Sequence, residues 1–254
     1  MSIRTIQIGD QPISASVIAF DKDGTLFQAE PFWIALNKER KKRFVSIAGL
    51  HNGDLWDRMM GVSSNAVDHS GLLAIAGESE EKIAIAALIY QQTQKPWIES
   101  LALSEKLLEE SNRSLRIQDA FIPTPGARDL LYSLKEAGYV VGIVTSDQHD
   151  RTVECLKLLD FHKKADFIVT PAAVAHGKPA PDMLEKVLRN FTVPAHEVLV
   201  VGDSIVDLMM SKAAGCKSVL VNEKPDILEQ LAPLADYAIE GLNGMKVIWE
   251  KRVY

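Results

Sequence analysis

The sequence predicts an α/β fold, in which a parallel β-sheet is covered by helices and interrupted by an inserted helical domain. From Tyr139 onward, short apolar runs alternate with amphipathic segments at the spacing of βα units. Near-continuous apolarity within these runs is typical of parallel strands that are buried on both faces. The third observation is a stretch with helical periodicity, residues 28–121, which is far longer than an ordinary connection.

Five apolar runs predict the strands of the sheet, at residues 14–20, 139–144, 166–169, 198–201 and 218–221. Residues 124–138 predict a helix that leads into the second strand, with Thr124 as a cap, proline in the first turn and Gly138 as the stop. This order of elements indicates that the sheet is built mainly from the second half of the chain.

The inserted stretch predicts its own helical core. Helices are expected at residues 30–48 and 79–93, and Gly53, Gly61, Gly71 and Gly77 are expected to break the region between them. The predicted organisation is therefore a core of residues 1–27 and 122–254 and a helical domain of residues 28–121. Two hinge-like joins are expected between them, one near Gln28 and one near Pro123, where prolines stiffen the chain.

Composition excludes several classes of function. The 254 residues are 47% hydrophobic, which suits a sizeable core, and a formal net charge of −6 argues against general binding to nucleic acid or anionic membranes. Only two cysteines are present, without a disulfide pattern, and no apolar run approaches the length of a membrane span. We therefore expect a cytoplasmic protein with no nucleic-acid or membrane partner.

Reactive side chains follow the predicted strands. In VIAFDKDGTLF, residues 17–27, Asp21 and Asp23 come directly after an apolar run and before Gly24. Two carboxylates this close repel each other unless a cation lies near them, so the pair indicates a site. The second strand ends in Thr145-Ser-Asp, the fourth ends in GDSIVD, and a loop before the fourth strand carries Lys178. Because ligands bind at the carboxyl ends of parallel strands, we expect these groups to converge.

These four motifs, in this order, resemble those of the haloacid dehalogenase superfamily, in its phosphatase branch. The likeness covers residues 17–27 and 123–221, and the insertion is similar in position to the family's helical cap. It implies a Rossmann-like core with an inserted cap domain. The cap position further resembles that of phosphoglycolate-phosphatase-like members, which makes phosphoglycolate the first candidate substrate.

The resemblance also implies a role for each residue in phosphoryl transfer. Asp21 would attack phosphorus and form an aspartyl-phosphate, and Asp23 would protonate the leaving oxygen and later activate water. The phosphate would be bound by Gly24, Thr145, Ser146 and Lys178, and Lys178 would neutralise charge on both the phosphate and the nucleophile.

Mg²⁺ is the implied cofactor, held by Asp21, the carbonyl of Asp23, Asp203 and Asp207, since hard oxygen ligands suit this ion. Asp207 follows Asp203 by one helical turn and would either complete or orient the shell. Each acid also has a structural interpretation: Asp203 and Asp207 fit the start of a helix, and Asp23-Gly24 fits a common turn.

Two alternatives to a metabolite phosphatase stay open at this point. A sugar phosphomutase of the same superfamily would return the phosphoryl group to its substrate, and a non-catalytic phospholigand-binding protein would use a decayed site. The decayed site is disfavoured because no motif residue is lost, and a dehalogenase is disfavoured by Asp23. The sequence does not determine the substrate, the specificity residues of the cap or the oligomeric state.

Overall fold

The computed structural model describes residues 4–49, 53–63 and 66–248. Eleven strands and eleven helices lie within these ranges. The strands are β1 Arg4–Ile8, β2 Gln11–Ala15, β3 Val17–Phe20, β4 Val62–Ser63, β5 Ala66–Val67, β6 Val140–Val144, β7 Phe167–Val169, β8 Val198–Gly202, β9 Lys217–Val221, β10 Tyr237–Ile239 and β11 Met245–Val247.

The helices are α1 Ala29–Ala48, α2 Gly53–Met60, α3 Leu72–Ile75, α4 Glu78–Thr93, α5 Trp97–Ser114, α6 Ile117–Ala120, α7 Ala127–Glu136, α8 His149–Leu158, α9 Asp182–Phe191, α10 Ile205–Ala214 and α11 Pro225–Leu231. The chain divides into two compact units, one of Met1–Gln28 with Pro123–Tyr254 and the other of Ala29–Ile122. Among the described residues, no helix combines the length and the apolar character that crossing a membrane requires.

A six-stranded parallel sheet forms the centre of the first unit, in the order β10-β9-β8-β3-β6-β7. The predicted α/β class with a parallel sheet is therefore confirmed. β3 is central, and Phe20 lies opposite Ile143 of β6 on one side and Val201 of β8 on the other. Every residue of β3 and β8 is buried, which explains why their sequences are continuously apolar.

The first predicted strand is wrong in one respect. Residues 14–20 do not form one strand, because the chain leaves β2 and enters β3 at Ser16. β2 belongs to a separate antiparallel sheet, in the order β11-β1-β2. Ser16 is held at the crossing by Glu197, whose carbonyl accepts its N–H at 2.9 Å and whose Oε2 accepts its hydroxyl at 2.5 Å. The other four predicted strands agree with the structure to within one residue.

The helix expected from Thr124 begins later than predicted. α7 starts at Ala127, its N-cap is Gly126 in the left-handed region at φ +80°, and no side chain caps it. The Thr124 N–H instead donates to the carbonyl of Leu26 at 2.9 Å, so this residue ties together the two chain segments of the first unit. The predicted stop at Gly138 agrees with the end of α7.

The second unit is helical, as its periodicity predicted, with α1 packed against α2, α4 and α5. Its core contains Phe44 and Trp56, whose rings lie 5.1 Å apart. The buried Arg40 side chain pairs with Glu81. Gly53 does not break a helix, since it is the first residue of α2, and the unit also contains a small hairpin of β4 and β5 that the sequence did not reveal.

Candidate active site

The candidate site lies at the carboxyl ends of β3, β6 and β8, three adjacent strands of the parallel sheet. Asp21 follows β3, Thr145 follows β6 and Asp203 follows β8. Ladder hydrogen bonds continue past the strand ends: the Asp21 N–H donates to the Val201 carbonyl at 2.8 Å, and the Thr145 N–H donates to the Val169 carbonyl at 3.1 Å. The sheet therefore fixes where these side chains begin.

The loop after β3 is a tight turn that requires glycine at one position. The Lys22 carbonyl accepts the N–H groups of Leu26 and Phe27, each at 3.0 Å, and Gly24 has φ +85°. A Cβ atom at Gly24 would lie 2.1 Å from Oδ2 of Asp203. Glycine is needed here both for the left-handed backbone and for the close approach of the Asp203 carboxylate.

Three buried carboxylates and one lysine form the first cluster of the site, which we call the Lys178 cluster: Asp21, Asp203, Asp207 and Lys178. One carboxylate oxygen from each aspartate lies within 4.8 Å of the others. Nζ of Lys178 lies 2.6 Å from Oδ1 of Asp21 and 2.5 Å from Oδ1 of Asp207. Three carboxylates against one ammonium leave two formal negative charges in a buried place.

The pKa directions show that this cluster lacks positive charge. Burial, followed by the charges of Asp207 and Asp23, raises the pKa of Asp21 to about 7 even though Lys178 acts to lower it. Burial, followed by the charges of Asp21 and Asp207, raises the pKa of Asp203 well above its ordinary value. A divalent cation would offset the repulsion between these carboxylates and favour their charged forms, and carboxylate oxygens are the ligands that a hard cation prefers. These residues therefore fit a divalent metal ion.

Neighbouring polar groups orient the two acids after β8. Oγ1 of Thr25 donates to Oδ1 of Asp203 at 3.4 Å. Ser204 caps α10 and donates to Oδ2 of Asp207 from its hydroxyl at 2.5 Å and from its N–H at 3.2 Å. Asp207 thus serves the helix start and also contributes an oxygen to the cluster. Sequence reasoning missed Thr25 and Ser204, although the spacing of Ser204 and Asp207 matches a capping box.

A second group of charges, which we call the Lys22 cluster, consists of Asp23, Lys22, Asp147 and Arg151. Nζ of Lys22 lies 2.5 Å from Oδ1 of Asp23 and 2.9 Å from Oδ2 of Asp147. Nε of Arg151 donates to Oδ1 of Asp147 at 2.6 Å. Two carboxylates and two cations balance each other here. Neither Lys22 nor Arg151 was identified as a site residue from the sequence. The position of Lys22 between two aspartates does not show which acid it contacts.

The pKa directions of the Lys22 cluster reflect this pairing. Burial acts to raise the pKa of Asp147, but the charges of Lys22 and Arg151 hold it below its ordinary value. Burial acts to lower the pKa of Lys22, and the charges of Asp147 and Asp23 outweigh it, so that this pKa is raised. For Asp23, burial is the largest cause and raises the pKa, with Lys22 acting in the opposite direction. Lys22 and Asp147 thus stabilise each other's charged forms.

Comparisons with known proteins show the family to which the chain belongs. The family model for haloacid dehalogenase-like hydrolases matches residues 15–215, most of the chain. The chain belongs to the haloacid dehalogenase-like hydrolases. The family expected from the four motifs is therefore confirmed, and so is the expectation of an enzyme.

Curated relatives of this family member carry phosphatase names. Phosphoglycolate phosphatase of Shigella boydii serotype 4 is 26% identical over 206 residues, which cover 80% of this chain and 79% of the relative. Pyrophosphatase PpaX of Bacillus mycoides is 35% identical over 94 residues, which cover 37% of this chain and 44% of the relative. The chain spans about half the length of the PpaX relatives it matches. These names agree with the phosphatase branch of the superfamily.

A solved structure shows the same fold for this family member. CbbY from Rhodobacter sphaeroides, in complex with phosphate, superimposes with a TM-score of 0.57 at 21% identity and covers 91% of this chain and 98% of its own. A likeness at this identity concerns the fold alone, and it agrees with the predicted α/β core.

The remaining site residues predicted for this hydrolase lie on the loop after β6. Thr145 is buried, and its Oγ1 accepts the Asp147 N–H at 3.1 Å. Ser146 is half-buried beside it. His149 is the exposed first residue of α8, where its Nδ1 lies 3.4 Å from Oδ1 of Asp150. The structure thus brings Asp21, Asp203, Asp207 and Lys178 into one cluster and places the Asp23 side chain in the other; the catalytic and binding roles of these residues stay predictions.

Proposed function

We propose that this chain is a Mg²⁺-dependent phosphomonoester hydrolase that acts on a small phosphorylated metabolite through an aspartyl-phosphate at Asp21. The observation that carries the proposal is the Lys178 cluster, in which a buried carboxylate at a strand end contacts a lysine and has two further carboxylates beside it. A nucleophile for phosphoryl transfer needs neighbouring positive charge, because both it and the phosphate are anionic.

The first half-reaction forms the covalent intermediate. A carboxylate oxygen of Asp21 forms a bond to phosphorus while the bond from phosphorus to the leaving oxygen breaks. Asp23 gives its proton to that leaving oxygen, and the alcohol departs. Lys178 lies 2.6 Å from Asp21, so its ammonium neutralises the carboxylate as the anionic phosphate approaches.

The second half-reaction releases phosphate and restores the enzyme. Asp23, now a carboxylate, accepts a proton from water while the water oxygen bonds to phosphorus. The bond from phosphorus to the Asp21 oxygen breaks, and inorganic phosphate leaves. Asp23 ends the cycle protonated, ready for the next leaving group, so one side chain serves as acid and then as base.

Polar groups around Asp21 would bind the phosphoryl oxygens. The hydroxyl of Thr145 accepts the Asp147 N–H, which orients Oγ1 and leaves its hydrogen to donate to phosphate. Gly24 keeps the following loop close to the site and allows its amides to approach an anion, and Ser146 is the second predicted hydroxyl donor.

Mg²⁺ would be held by carboxylate oxygens of Asp21, Asp203 and Asp207, together with the predicted carbonyl of Asp23. When bound, the ion supplies charge cancellation between the phosphate and the carboxylates. Thr25 orients Asp203 and Ser204 orients Asp207, so these acids are held in place by hydrogen bonds before any cation arrives.

Phosphoglycolate is the first candidate substrate, because a relative named phosphoglycolate phosphatase matches four fifths of this chain. The inserted residues 28–121 stay the predicted source of specificity. Cytoplasmic location, and the lack of nucleic-acid and membrane partners, likewise stay predictions from the composition.

The test is phosphate release from a panel of phosphorylated metabolites, with phosphoglycolate and sugar phosphates included, with Mg²⁺ and with a chelator. Asp21→Asn removes the nucleophile and is expected to lower release by at least about 10³-fold. Asp160→Asn is the matched control, since Asp160 is exposed and pairs with Arg128, and it should behave as wild type. Metal-independent release, or release by Asp21→Asn, would contradict the proposal; phosphoryl return to a sugar phosphate without net release would indicate the mutase.

A further inference from the structure

In the Lys22 cluster, Asp23, the predicted acid–base residue, contacts a lysine that is fully buried. Along its contacts the exposed fraction of the side chains is 18% for Asp23, 0% for Lys22, 3% for Asp147 and 12% for Arg151. Asp23 is therefore the member that solvent or a ligand reaches most easily, while the group that contacts it is fully buried. A buried cation with no room to move holds one orientation of its partner.

Asp147 explains why Lys22 contacts Asp23. Lys22 lies between Asp21 and Asp23 in the sequence, and its ammonium pairs with Asp23 and Asp147. Asp147 is itself fixed, because Oδ1 accepts hydrogen bonds from Nε of Arg151 at 2.6 Å and from the Gln148 N–H at 2.7 Å. Asp21 is paired with Lys178 instead. Each lysine thus bridges two aspartates, and the two bridges share no carboxylate.

We propose that Lys22, Asp147 and Arg151 are positioning residues for Asp23, with Lys22 holding Oδ1 so that Oδ2 carries the proton that the leaving oxygen receives. This inference rests on the proposed function and adds to it the residues that orient the Asp23 carboxyl group. It follows from the contact between these two side chains, since Nζ of Lys22 lies 2.5 Å from Oδ1 of Asp23, and an ammonium donates but cannot accept.

The step assigned to Oδ2 of Asp23 is the transfer of one proton. As the bond from phosphorus to the leaving oxygen breaks, the proton moves from Oδ2 of Asp23 to that oxygen, and Oδ1 keeps its hydrogen bond from Lys22. In the second half-reaction Oδ2 takes a proton from the attacking water. Lys22 stays an ammonium throughout, so it positions Asp23 without donating a proton to the substrate.

The test compares two substrates that differ mainly in how much the leaving oxygen needs a proton. Phenyl phosphate and p-nitrophenyl phosphate share a ring, but nitrophenolate leaves readily without protonation, whereas phenolate is a poorer leaving group. We expect Lys22→Met to lower the ratio of kcat/KM for phenyl phosphate to kcat/KM for p-nitrophenyl phosphate by at least about tenfold, because a misplaced acid loses part of its effect.

Asp147→Asn provides a second variant that keeps the shape of the site. Asparagine retains an acceptor for Gln148 and Arg151 but removes the charge that anchors Lys22, so the same ratio should fall in the same direction by less than in Lys22→Met. The matched control is Lys135→Met, which breaks another ion pair of the first unit, with Asp166, outside both clusters. It is expected to lower stability and leave the ratio as in wild type.

The outcomes separate this inference from the proposed function. A lowered ratio in both cluster variants, with an unchanged ratio in Lys135→Met, supports positioning. Equal losses on both substrates, in whichever cluster variant folds, would mean that Lys22 and Asp147 are merely structural and overturn the inference alone. A wild-type protein that hydrolyses neither ester nor any metabolite of the panel overturns the proposed function, and the inference falls with it.

Discussion

The two clusters at the candidate site are built alike but balanced differently. In each, one buried lysine bridges two aspartates: Lys178 bridges Asp21 and Asp207, and Lys22 bridges Asp23 and Asp147. The Lys178 cluster then adds a third carboxylate, from Asp203, whereas the Lys22 cluster adds a second cation, from Arg151.

This difference in charge gives Asp21 and Asp23, which are separated by one residue in the sequence, different electrostatic environments. The Lys178 cluster keeps an excess of two negative charges, which favours binding of a divalent cation, and that cation would in turn favour an anionic substrate. The Lys22 cluster is neutral by itself, which suits the proton exchange proposed for Asp23 without a metal ion beside its side chain. Two carboxylates in two environments can therefore take two roles, nucleophile and acid–base group.

Of the variants that compare the two clusters, Lys178→Met is expected to have the largest effect. Lys178→Met leaves three buried carboxylates with no cation from the protein, and we expect p-nitrophenyl phosphate hydrolysis to fall by roughly 10²–10³-fold. Lys22→Met should cost much less on this substrate, because nitrophenolate needs little protonation. Steady-state kinetics of the two variants measures the difference, and equal losses would mean that the clusters are not functionally distinct.

A pair of glycines tests how closely the loop after β3 approaches the Lys178 cluster. Gly24 and Gly126 both have left-handed backbones, at φ +85° and +80°, but a Cβ at Gly24 would meet Asp203 at 2.1 Å and one at Gly126 would meet nothing within 4 Å. Gly126→Ala should therefore cost about 1–2 kcal/mol of unfolding free energy from backbone strain alone.

Gly24→Ala should cost clearly more and should also weaken Mg²⁺ binding, because Asp203 must move. Urea denaturation without metal gives both free energies. If the two alanine variants prove equally stable, the Asp203 carboxylate does not lie where the structure places it.

A smaller effect is expected from the hydroxyl that orients Asp203. Thr25→Val keeps the shape of the buried side chain and removes the donor that lies 3.4 Å from Oδ1 of Asp203. We expect a loss of about 1 kcal/mol in stability and a rise of up to about tenfold in the Kd for Mg²⁺. Isothermal titration calorimetry measures the second quantity, and an unchanged Kd would show that the capped helix alone positions the acids.

The parallel sheet could be predicted because its strands carry a strong local pattern. β3 and β8 are buried on both faces, so their sequences are continuously apolar. The antiparallel sheet could not, since β1 and β11 come from opposite ends of the chain and pair only in the folded protein. The break at Ser16 was missed for the same reason, because Glu197, which holds it, is distant in sequence.

In the site, too, features that are local in the sequence could be predicted, and contacts between distant residues could not. Asp21, Asp203 and Lys178 could be proposed because each stands in a recognisable motif at a strand end or loop. The partners of each lysine could not be deduced from the sequence. Lys22 is adjacent to both Asp21 and Asp23, and which of the two it contacts depends on Asp147, which follows a different strand. Residue types indicate the chemistry, whereas contacts decide which acid each cation serves.

Mg²⁺ binding to two matched variants tests the difference between the clusters most directly. Asp203→Asn and Asp147→Asn each remove one buried carboxylate charge, one from each cluster, with almost no change of shape. Calorimetric titration should show at least about tenfold weaker Mg²⁺ binding for Asp203→Asn and near wild-type binding for Asp147→Asn. Equal binding by the two variants, or a loss confined to Asp147→Asn, would contradict the assignment of the cation to the Lys178 cluster.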